Sequence, residues 1–112
     1  MSDDRYNAYR NMWLFVFFDL PTETKLERKA ASTLRTDLLT DGFFMFQYSI
    51  YIRNCSSREN ALVHSKRVKN MLPKNGKVSI LKITDKQFGM MDNFYGRKQE
   101  EPPDSSEQLE FF

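Results

Sequence analysis

The chain has 112 residues and a formal net charge of +2, and this length suits a single domain. Aromatic residues make up 14% of it, which excludes a disordered chain, and the single cysteine, Cys55, excludes an intramolecular disulfide. The longest apolar run, residues 12–18, is far too short to cross a bilayer and the first residues are not a secretion signal, so we expect a cytoplasmic protein with no membrane contact.

The first predicted element is a strand formed by this apolar run. Because both of its faces are apolar, we expect it to be covered on both sides and to lie at the centre of its sheet. Asp19, Leu20 and Pro21 end it.

A helix is predicted to follow, because Thr24 and Glu27 have capping-box spacing. Gly42 suits the left-handed position just past the helix end. The buried stripe of this helix is expected to consist of residues four apart, namely Leu26, Ala30, Leu34 and Leu38.

Residues 43–53 are rich in β-forming residues. They form either one bent strand or two strands that meet near residues 47–49, and we favour two. Ser56 and Glu59 repeat the capping-box spacing and start a second helix that runs to about Leu72. Its buried face is expected to consist of Ala61, Val68 and Leu72.

A further strand is expected around Val78 and Ile80, after which residues 87–95 form either a short helix or an extended segment. The order is β-α-β-β-α-β plus an extra C-terminal element, which predicts an α+β, ferredoxin-like fold. We place the domain at residues 1–98, and an acidic, flexible tail with an apolar tip at residues 99–112.

Charge is unevenly distributed along the chain. Residues 21–90 hold 13 Lys and Arg against 6 Asp and Glu, whereas residues 91–112 hold 2 against 6. A basic body favours a polyanionic partner, and the alternative is an ordinary solvated surface.

Asp19 is the candidate catalytic residue and metal ligand, because it follows a buried strand and precedes the start of a helix. The alternative is a turn or capping role, which Asp often has at such a position. One carboxylate rarely holds Mg²⁺ unaided, but a two-fold homodimer can bring both copies of Asp19 to one axis. A metal bound there would activate water or stabilise a leaving oxygen.

Three basic residues, Lys25, Arg28 and Lys29, lie on the first turns of the predicted helix, close in sequence to Asp19. They are candidate phosphate contacts for nucleic-acid binding. The alternative is a solvated helix face that also carries glutamates.

Two further features are expected to have a structural role or, for the histidine, a structural or surface role. The single histidine, His64, lies in mid-helix, and no metal cluster or nucleophile signature can be built around it. The aromatic run at residues 43–51 is either a base-stacking platform or part of the core or a dimer interface, and we favour the latter.

Four sequence blocks together resemble the small CRISPR-associated adaptation protein, the partner of the spacer integrase. They are FVFFDLP at 15–21, ETKLERKAA at 23–31, DGFFMFQYSIYIRNCSSREN at 41–60 and ITDKQFGMMDNFYG at 83–96. The resemblance covers roughly residues 5–98, and the last block is similar to the branch that accompanies a single-protein RNA-guided effector (type II systems).

The resemblance implies a homodimer that takes part in spacer acquisition, binds duplex DNA and bridges two integrase dimers. It assigns the shared metal ligand at the dimer axis to Asp19, and places the family's Gln-x-Ser-Val-Phe block on Gln47, Ser49 and Tyr51. Many members are described as Mg²⁺-dependent nucleases acting on RNA or DNA. Met45 stands where some members have a basic residue, which weakens the case for efficient cleavage but not for the scaffold role.

We therefore predict a DNA-binding scaffold of the integration complex with a residual Mg²⁺-dependent nuclease site. The first alternative is an endonuclease whose main role is cleavage. The second is a monomeric RNA-binding sheet, against which the first strand argues, because a base-stacking strand must expose one face.

The apolar tip of the tail, which contains Leu109, Phe111 and Phe112, is expected to dock on a partner. Large apolar side chains at the end of an acidic linker are costly to leave in water. Their short alternating pattern suits addition to an exposed sheet edge, with the integrase as the preferred host, the second protomer's sheet as the next and a replication clamp as the third. The alternative is a frayed chain end.

Overall fold

The computed structural model describes residues 11–100. Its first six elements are strand β1 (Met12–Asp19), helix α1 (Lys25–Thr40), strands β2 (Phe44–Gln47) and β3 (Ile50–Cys55), helix α2 (Arg58–Lys69) and strand β4 (Lys77–Thr84). They are followed by a short helix α3 (Asp85–Gly89) and strands β5 (Asn93–Tyr95) and β6 (Lys98–Glu100). The β-α-β-β-α-β order confirms the predicted α+β, ferredoxin-like fold. Within residues 11–100, no helix combines the length and apolarity needed to cross a membrane.

Strand β1 is central in a four-stranded antiparallel sheet of order β2-β3-β1-β4, as its apolar sequence predicted. Phe15 lies opposite Ile52 of β3 on one side and Leu81 of β4 on the other. Because side chains alternate along a strand, the even-numbered residues of β1 face the helices and the odd-numbered ones face the opposite side. The two faces belong to two separate apolar clusters.

Helices α1 and α2 cover one side of the sheet, which we call the helix face. The buried residues of α1 are Ala31, Leu34 and Leu38. The first half of the predicted stripe is therefore wrong, since Leu26 is 80% exposed and Ala30 is only half-buried. Residues four apart advance by about 40° around a helix, so a stripe counted in fours leaves the buried face within three steps.

Side-chain caps fix the starts of both helices. The predicted Thr24–Glu27 capping box is present at α1. At α2 the predicted cap is wrong by one residue: the Ser57 hydroxyl accepts from the Asn60 N–H, and Asn60 Oδ1 accepts from the Ser56 N–H. The bond to Ser57 is the first half of a capping box, whereas the Asn60 side chain accepts from the residue before the cap, Ser56, and not from the cap itself, so no full box forms.

The end of α2 also differs from the prediction. The helix ends at Lys69 with Asn70 as its cap, so Leu72 lies outside it and is exposed rather than buried. His64 and Ser65 take part in the buried face instead, so of the two roles expected for the histidine the structure shows the structural one and not the surface one.

The other side of the sheet, which we call the aromatic face, carries Trp13, Phe15 and Phe17 of β1. Helix α3 covers part of it, because Phe88 stacks on Trp13 with ring centroids 4.0 Å apart. The indole N–H of Trp13 donates to Asp85 Oδ1 at 2.7 Å and holds α3 in place.

Residues 87–95 contain both of the predicted alternatives: the end of the short helix α3 comes first, and the extended strand β5 follows it. The hairpin of β5 and β6 continues through Glu100, two residues past the predicted domain edge. The remainder of the predicted tail, with its tip Leu109, Phe111 and Phe112, lies outside the described residues.

Candidate functional site

Asp19 is the last residue of β1, and its side chain is exposed. It lies opposite Lys77 of β4 and on the same side of the sheet as Phe17, so the carboxylate stands at the rim of the aromatic face. Within the described part of the chain the Asp19 side chain makes no hydrogen bond or ion pair. The alternative role as a capping side chain is therefore not found, and the carboxylate is available to a ligand.

One copy of this chain does not build a metal centre around Asp19 from residues 11–100. Within that range, no three or more His, Cys, Asp and Glu side chains are grouped so that they could hold a metal ion. Exposed carboxylate oxygens are nevertheless the ligand type that Mg²⁺ prefers. A metal at Asp19 would need a further carboxylate from outside the described residues, such as the Asp19 of a second copy.

The turn between β2 and β3 lies beside the strand end that carries Asp19. Its carbonyl group at Ser49 accepts a hydrogen bond from the Phe18 N–H at 3.0 Å. Ser49 has a φ of +66°, a left-handed conformation that is uncommon for a residue with a side chain. The strand register shifts just before Gln47, which ends β2. The Gln47–Ser49 segment singled out in the sequence is thus brought next to Asp19.

The two tyrosines of this region have opposite surroundings. Tyr51 is buried and packs on Phe18 with ring centroids 5.7 Å apart, so it supports the strand end from the core. Tyr48 is 77% exposed, and the guanidinium carbon of Arg35 lies 5.1 Å from its ring centroid. Sequence reasoning did not single out Arg35. It included Tyr48 as one member of the aromatic run at residues 43–51 and predicted a strand change near residues 47–49, which places Tyr48 at a turn.

The three predicted phosphate contacts are all exposed on the first turns of α1. Arg28 has a structural role as well, because its Nη1 donates to the carbonyl oxygens of Thr22 and Glu23 at 3.1 and 2.9 Å. It therefore fastens the loop that joins β1 to α1. Lys25 and Lys29 make no hydrogen bond or ion pair in the described part of the chain, so both ammonium groups can meet an external anion.

An open cleft of about 330 Å³ lies between the start of α1 and the turn before β4. Its walls are mainly apolar and include Leu20, Pro21, Leu26 and Pro73. The carboxylate in its lining, Glu27, is already engaged in the cap of α1. The cleft therefore supplies no second metal ligand for Asp19.

A second charged cluster lies at the other end of α1. The carboxylate of Asp41 accepts from His64 Nδ1 at 2.7 Å and from Arg67 Nη1 at 2.9 Å, while Arg53 Nε donates to the Asp41 carbonyl oxygen at 2.8 Å. Burial raises the pKa of Asp41, but the hydrogen bonds and charges of His64 and Arg67 outweigh it, so the pKa is lowered below its usual value of 3.8. This cluster joins α1 to α2 and is structural.

The aromatic face is incompletely covered within residues 11–100. Around the buried Trp13 and Phe15 lie the half-buried side chains of Phe17, Phe44, Phe46, Ile50, Ile83 and Met91. The buried Nδ2 group of Asn54 has no hydrogen-bond partner in this part of the chain, and exposed Phe94 and Tyr95 extend from the hairpin. The half-buried side chains leave apolar area on this face that residues 11–100 do not cover.

Comparison with known proteins adds an independent observation. A family model described as CRISPR associated protein Cas2 matches residues 12–91. Among similar proteins is a CRISPR-associated endoribonuclease Cas2 of Flavobacterium psychrophilum, 60% identical over all of both chains. Another from Parvibaculum lavamentivorans is 48% identical over 90% of this chain and all of its own length. A third from Paracidovorax avenae is 42% identical over 94% of this chain and 97% of its own length.

Proposed function

The chain belongs to the CRISPR-associated Cas2 family, and we propose that it acts as a homodimer that binds duplex DNA and bridges integrase dimers during spacer acquisition. The observation that carries this proposal is the position of Asp19 at the rim of an aromatic face that residues 11–100 cover only in part. A dimer that buries this face brings the two strand ends together. The family match extends over most of the described residues and supports a role in CRISPR adaptation.

The homodimer is supported by the chemistry of the aromatic face. The half-buried Phe17, Phe44 and Phe46 lie on this face, and a second copy packed against it would cover them. Each large apolar side chain that is fully removed from water stabilises the interface by about 1.5–3 kcal/mol. A two-fold arrangement also uses the same patch on both copies, as an isologous interface requires.

The same dimer would complete a Mg²⁺ site. Each copy contributes one exposed Asp19 carboxylate, and two such groups plus water suit a hard octahedral cation. When bound, the metal would supply Lewis-acid stabilisation and a water of lowered pKa. The chain's own residues would hold the carboxylates in place. Tyr51 packs against the ring of Phe18, the residue before Asp19, and the Ser49 carbonyl oxygen accepts from the Phe18 N–H.

Duplex binding is supported by the excess of basic residues between positions 21 and 90. Lys25 and Lys29 are the exposed ammonium groups nearest in sequence to Asp19. Such groups position a nucleic acid through its phosphates without reading its sequence.

Membership of the branch that works with a single-protein RNA-guided effector also remains a prediction.

A second candidate function is Mg²⁺-dependent cleavage of RNA. The names of the three relatives favour it, since all three are called endoribonucleases. The exposed Asp19 carboxylate is compatible with it. Met45, exposed where some members have a basic residue, argues for the scaffold as the main role.

The experiment that separates these roles compares the wild-type protein with Asp19→Asn, and uses Glu59→Gln on α2 as the matched control. Each is mixed with the neighbouring integrase and a DNA duplex, and the mass of the complex is measured by light scattering. Each is also incubated with RNA, with Mg²⁺ or with EDTA. We expect all three proteins to form the complex, and Asp19→Asn to lose any cleavage down to the EDTA background.

Two results would contradict the proposal. A wild-type protein that stays monomeric removes the basis of both the bridge and the shared metal site. A dimer that binds neither integrase nor duplex leaves RNA cleavage as the remaining function.

A further inference from the structure

We propose that Lys77 is the counter-charge of the Asp19 site. Its ammonium group neutralises the carboxylate when no metal is bound, so that two copies of Asp19 can meet in the homodimer without a cation from solution. Lys77 thereby also sets how strongly the site takes Mg²⁺. This inference rests on the proposed function, because it concerns the same two-fold site.

Lys77 lies beside Asp19 on the aromatic face of the sheet. The two residues are the last pair in the antiparallel register of β1 and β4. Residues directly opposite each other point to the same face, with Cβ atoms about 4.5–5.5 Å apart, so the flexible stem of a lysine can bring its ammonium group to the carboxylate. On the other side of β1 the pairing with β3 ends at Phe17, so within residues 11–100 Lys77 is the one cross-strand neighbour of Asp19.

The turn before β4 keeps these two residues together. The backbone of Gly76, which directly precedes Lys77, packs against Asp19 and Leu20 so closely that no Cβ would fit there. Both charged side chains are exposed, and in the described part of the chain neither makes a hydrogen bond or an ion pair. The backbone is therefore fixed while the ammonium and the carboxylate are free to respond to a second copy.

A second copy changes the electrostatics of this pair. In one copy the pair is exposed to water and contributes little to stability. Two carboxylates brought within a few ångströms of each other repel, and the repulsion grows as the interface excludes water. Such a site must bind a proton, take a cation from solution or hold a cation of its own. The two Lys77 side chains supply one cation for each carboxylate, so the four groups together carry no net charge.

The same lysines oppose the binding of Mg²⁺. A divalent cation held by the two carboxylates has two ammonium groups within reach, and like charges repel. The lysine stem lets each ammonium group withdraw into water, but its attraction to the carboxylate is then lost. Lys77 should therefore weaken Mg²⁺ binding and make the dimer independent of Mg²⁺, which fits a protein whose main role is that of a scaffold.

The test measures the dimer dissociation constant of the full-length protein by analytical ultracentrifugation, in EDTA and in Mg²⁺. Lys77→Gln removes the charge, Lys77→Arg keeps it, and Lys82→Gln is the matched control. Lys82 is another exposed lysine of β4, but it lies opposite Leu14 and therefore on the other face. In EDTA we expect Lys77→Gln to weaken the dimer by about ten-fold, whereas the wild type, Lys77→Arg and Lys82→Gln should dimerise alike.

Two further measurements connect the effect to Asp19. Mg²⁺ should restore the Lys77→Gln dimer, and calorimetry at concentrations where both proteins are dimeric should show Mg²⁺ binding about ten-fold more tightly to Lys77→Gln than to the wild type. Adding Asp19→Asn to Lys77→Gln should restore the dimer in EDTA, because the repelling charges are then gone. Thermal unfolding of each variant checks that a weakened dimer does not reflect a loss of the fold.

The outcomes separate this inference from the function on which it rests. Equal dimer and Mg²⁺ affinities in the wild type and Lys77→Gln would overturn the counter-charge and leave the homodimer standing. A wild-type dimer that dissociates in EDTA would overturn it as well. A wild type that is monomeric both in EDTA and in Mg²⁺ contradicts the homodimer, and the counter-charge with it. A dimer that depends on Lys77 in this way but binds neither integrase nor duplex supports the counter-charge and contradicts the scaffold.

Discussion

The carbonyl oxygen of Asp19 and the α-carbon of Gly76 face each other at the edge of the sheet, so closely that a Cβ on Gly76 would lie 2.9 Å from that oxygen. The same Cβ would lie 2.7 Å from Leu20 Cδ2, and Gly76 has a φ of +97°. Only glycine adopts this conformation without strain and leaves this space. The turn before β4 therefore holds the backbone from which the Asp19 carboxylate projects.

Substituting Gly76 by alanine should disturb both stability and the candidate metal site. The new methyl group must displace either the backbone at Asp19 or the turn, and the positive φ adds strain. We expect the free energy of unfolding to fall by about 1–3 kcal/mol, as measured by urea denaturation. Because the carboxylate moves with its backbone, Mg²⁺ affinity should fall as well, as measured by calorimetry.

Gly89→Ala is the matched control for this prediction. Gly89 ends α3, its φ is not in the positive range, and a Cβ there meets no atom within 4 Å. Alanine should be neutral at this position, or should stabilise the protein by up to about 1 kcal/mol. Equal effects of the two substitutions would show that the contact between Gly76 and Asp19 has no special role.

The two ammonium groups on α1 should contribute to duplex binding through phosphates. Changing Lys25 and Lys29 together to glutamate should weaken duplex binding and lower the slope of log affinity against log salt by about 2, one for each lost contact. Filter binding between about 50 and 200 mM salt measures both quantities. Arg28 is left unchanged because it also holds the loop at Thr22 and Glu23.

The matched control replaces Lys74, an exposed lysine of the turn before β4, by glutamate. The affinity and the salt slope should change less than in the double variant. If the double variant keeps both the affinity and the slope of the wild type, the helix α1 lysines are a solvated surface, as the alternative interpretation has it.

Much of the fold could be predicted from the sequence, because it depends on local patterns. The apolar run at residues 12–18 encodes a strand covered on both faces, and this places β1 at the centre of the sheet. The Thr24–Glu27 box fixed the start of α1. The errors came from counting in fours along α1, which put Leu26 in the core, and from reading Ser56 rather than Ser57 as the cap of α2.

The site was only partly predictable, for a different reason. The placement of Asp19 at a strand end follows from the sequence pattern, and the structure agrees. The contact between Tyr48 and Arg35 joins a turn to a helix, and the close approach of Gly76 to Asp19 joins the turn before β4 to the end of β1. Such contacts depend on tertiary packing, which no local spacing encodes.

The buried Asp41 cluster makes a prediction about pH. The pKa of Asp41 is lower in the folded protein than its usual value of 3.8, so the unfolded chain binds the proton more readily. Its contribution to stability is therefore fully present above about pH 4 and is lost as the pH falls through the lower, folded pKa. Asp41→Asn should lower the free energy of unfolding at pH 7 by about 2–3 kcal/mol, because two charge-assisted hydrogen bonds are weakened.

Urea denaturation between neutral and acidic pH checks this prediction. The loss of stability of the wild type on acidification should be steeper than that of Asp41→Asn, since the variant lacks the titrating group. Asp37→Asn, on the same helix but without an ion pair within residues 11–100, is the matched control and should follow the wild type. Parallel curves for the wild type and Asp41→Asn would contradict the assignment.

The apolar tip of the C-terminal tail should dock on the integrase. Leu109, Phe111 and Phe112 follow a segment with several acidic residues and Pro102-Pro103, which offers little else to bury. Each large side chain gains about 1.5–3 kcal/mol on full burial, and the alternating pattern suits pairing with an exposed sheet edge. Deleting residues 105–112 should weaken integrase binding in a pull-down while leaving the dimer and its melting temperature nearly unchanged.

A second variant that keeps the tip but changes Glu107 and Glu110 to glutamine should bind as the full chain does, because the apolar side chains supply the contact. If the truncated protein holds integrase as tightly as the full chain, the integrase is not the host, and a lowered melting temperature would instead point to docking on the second protomer.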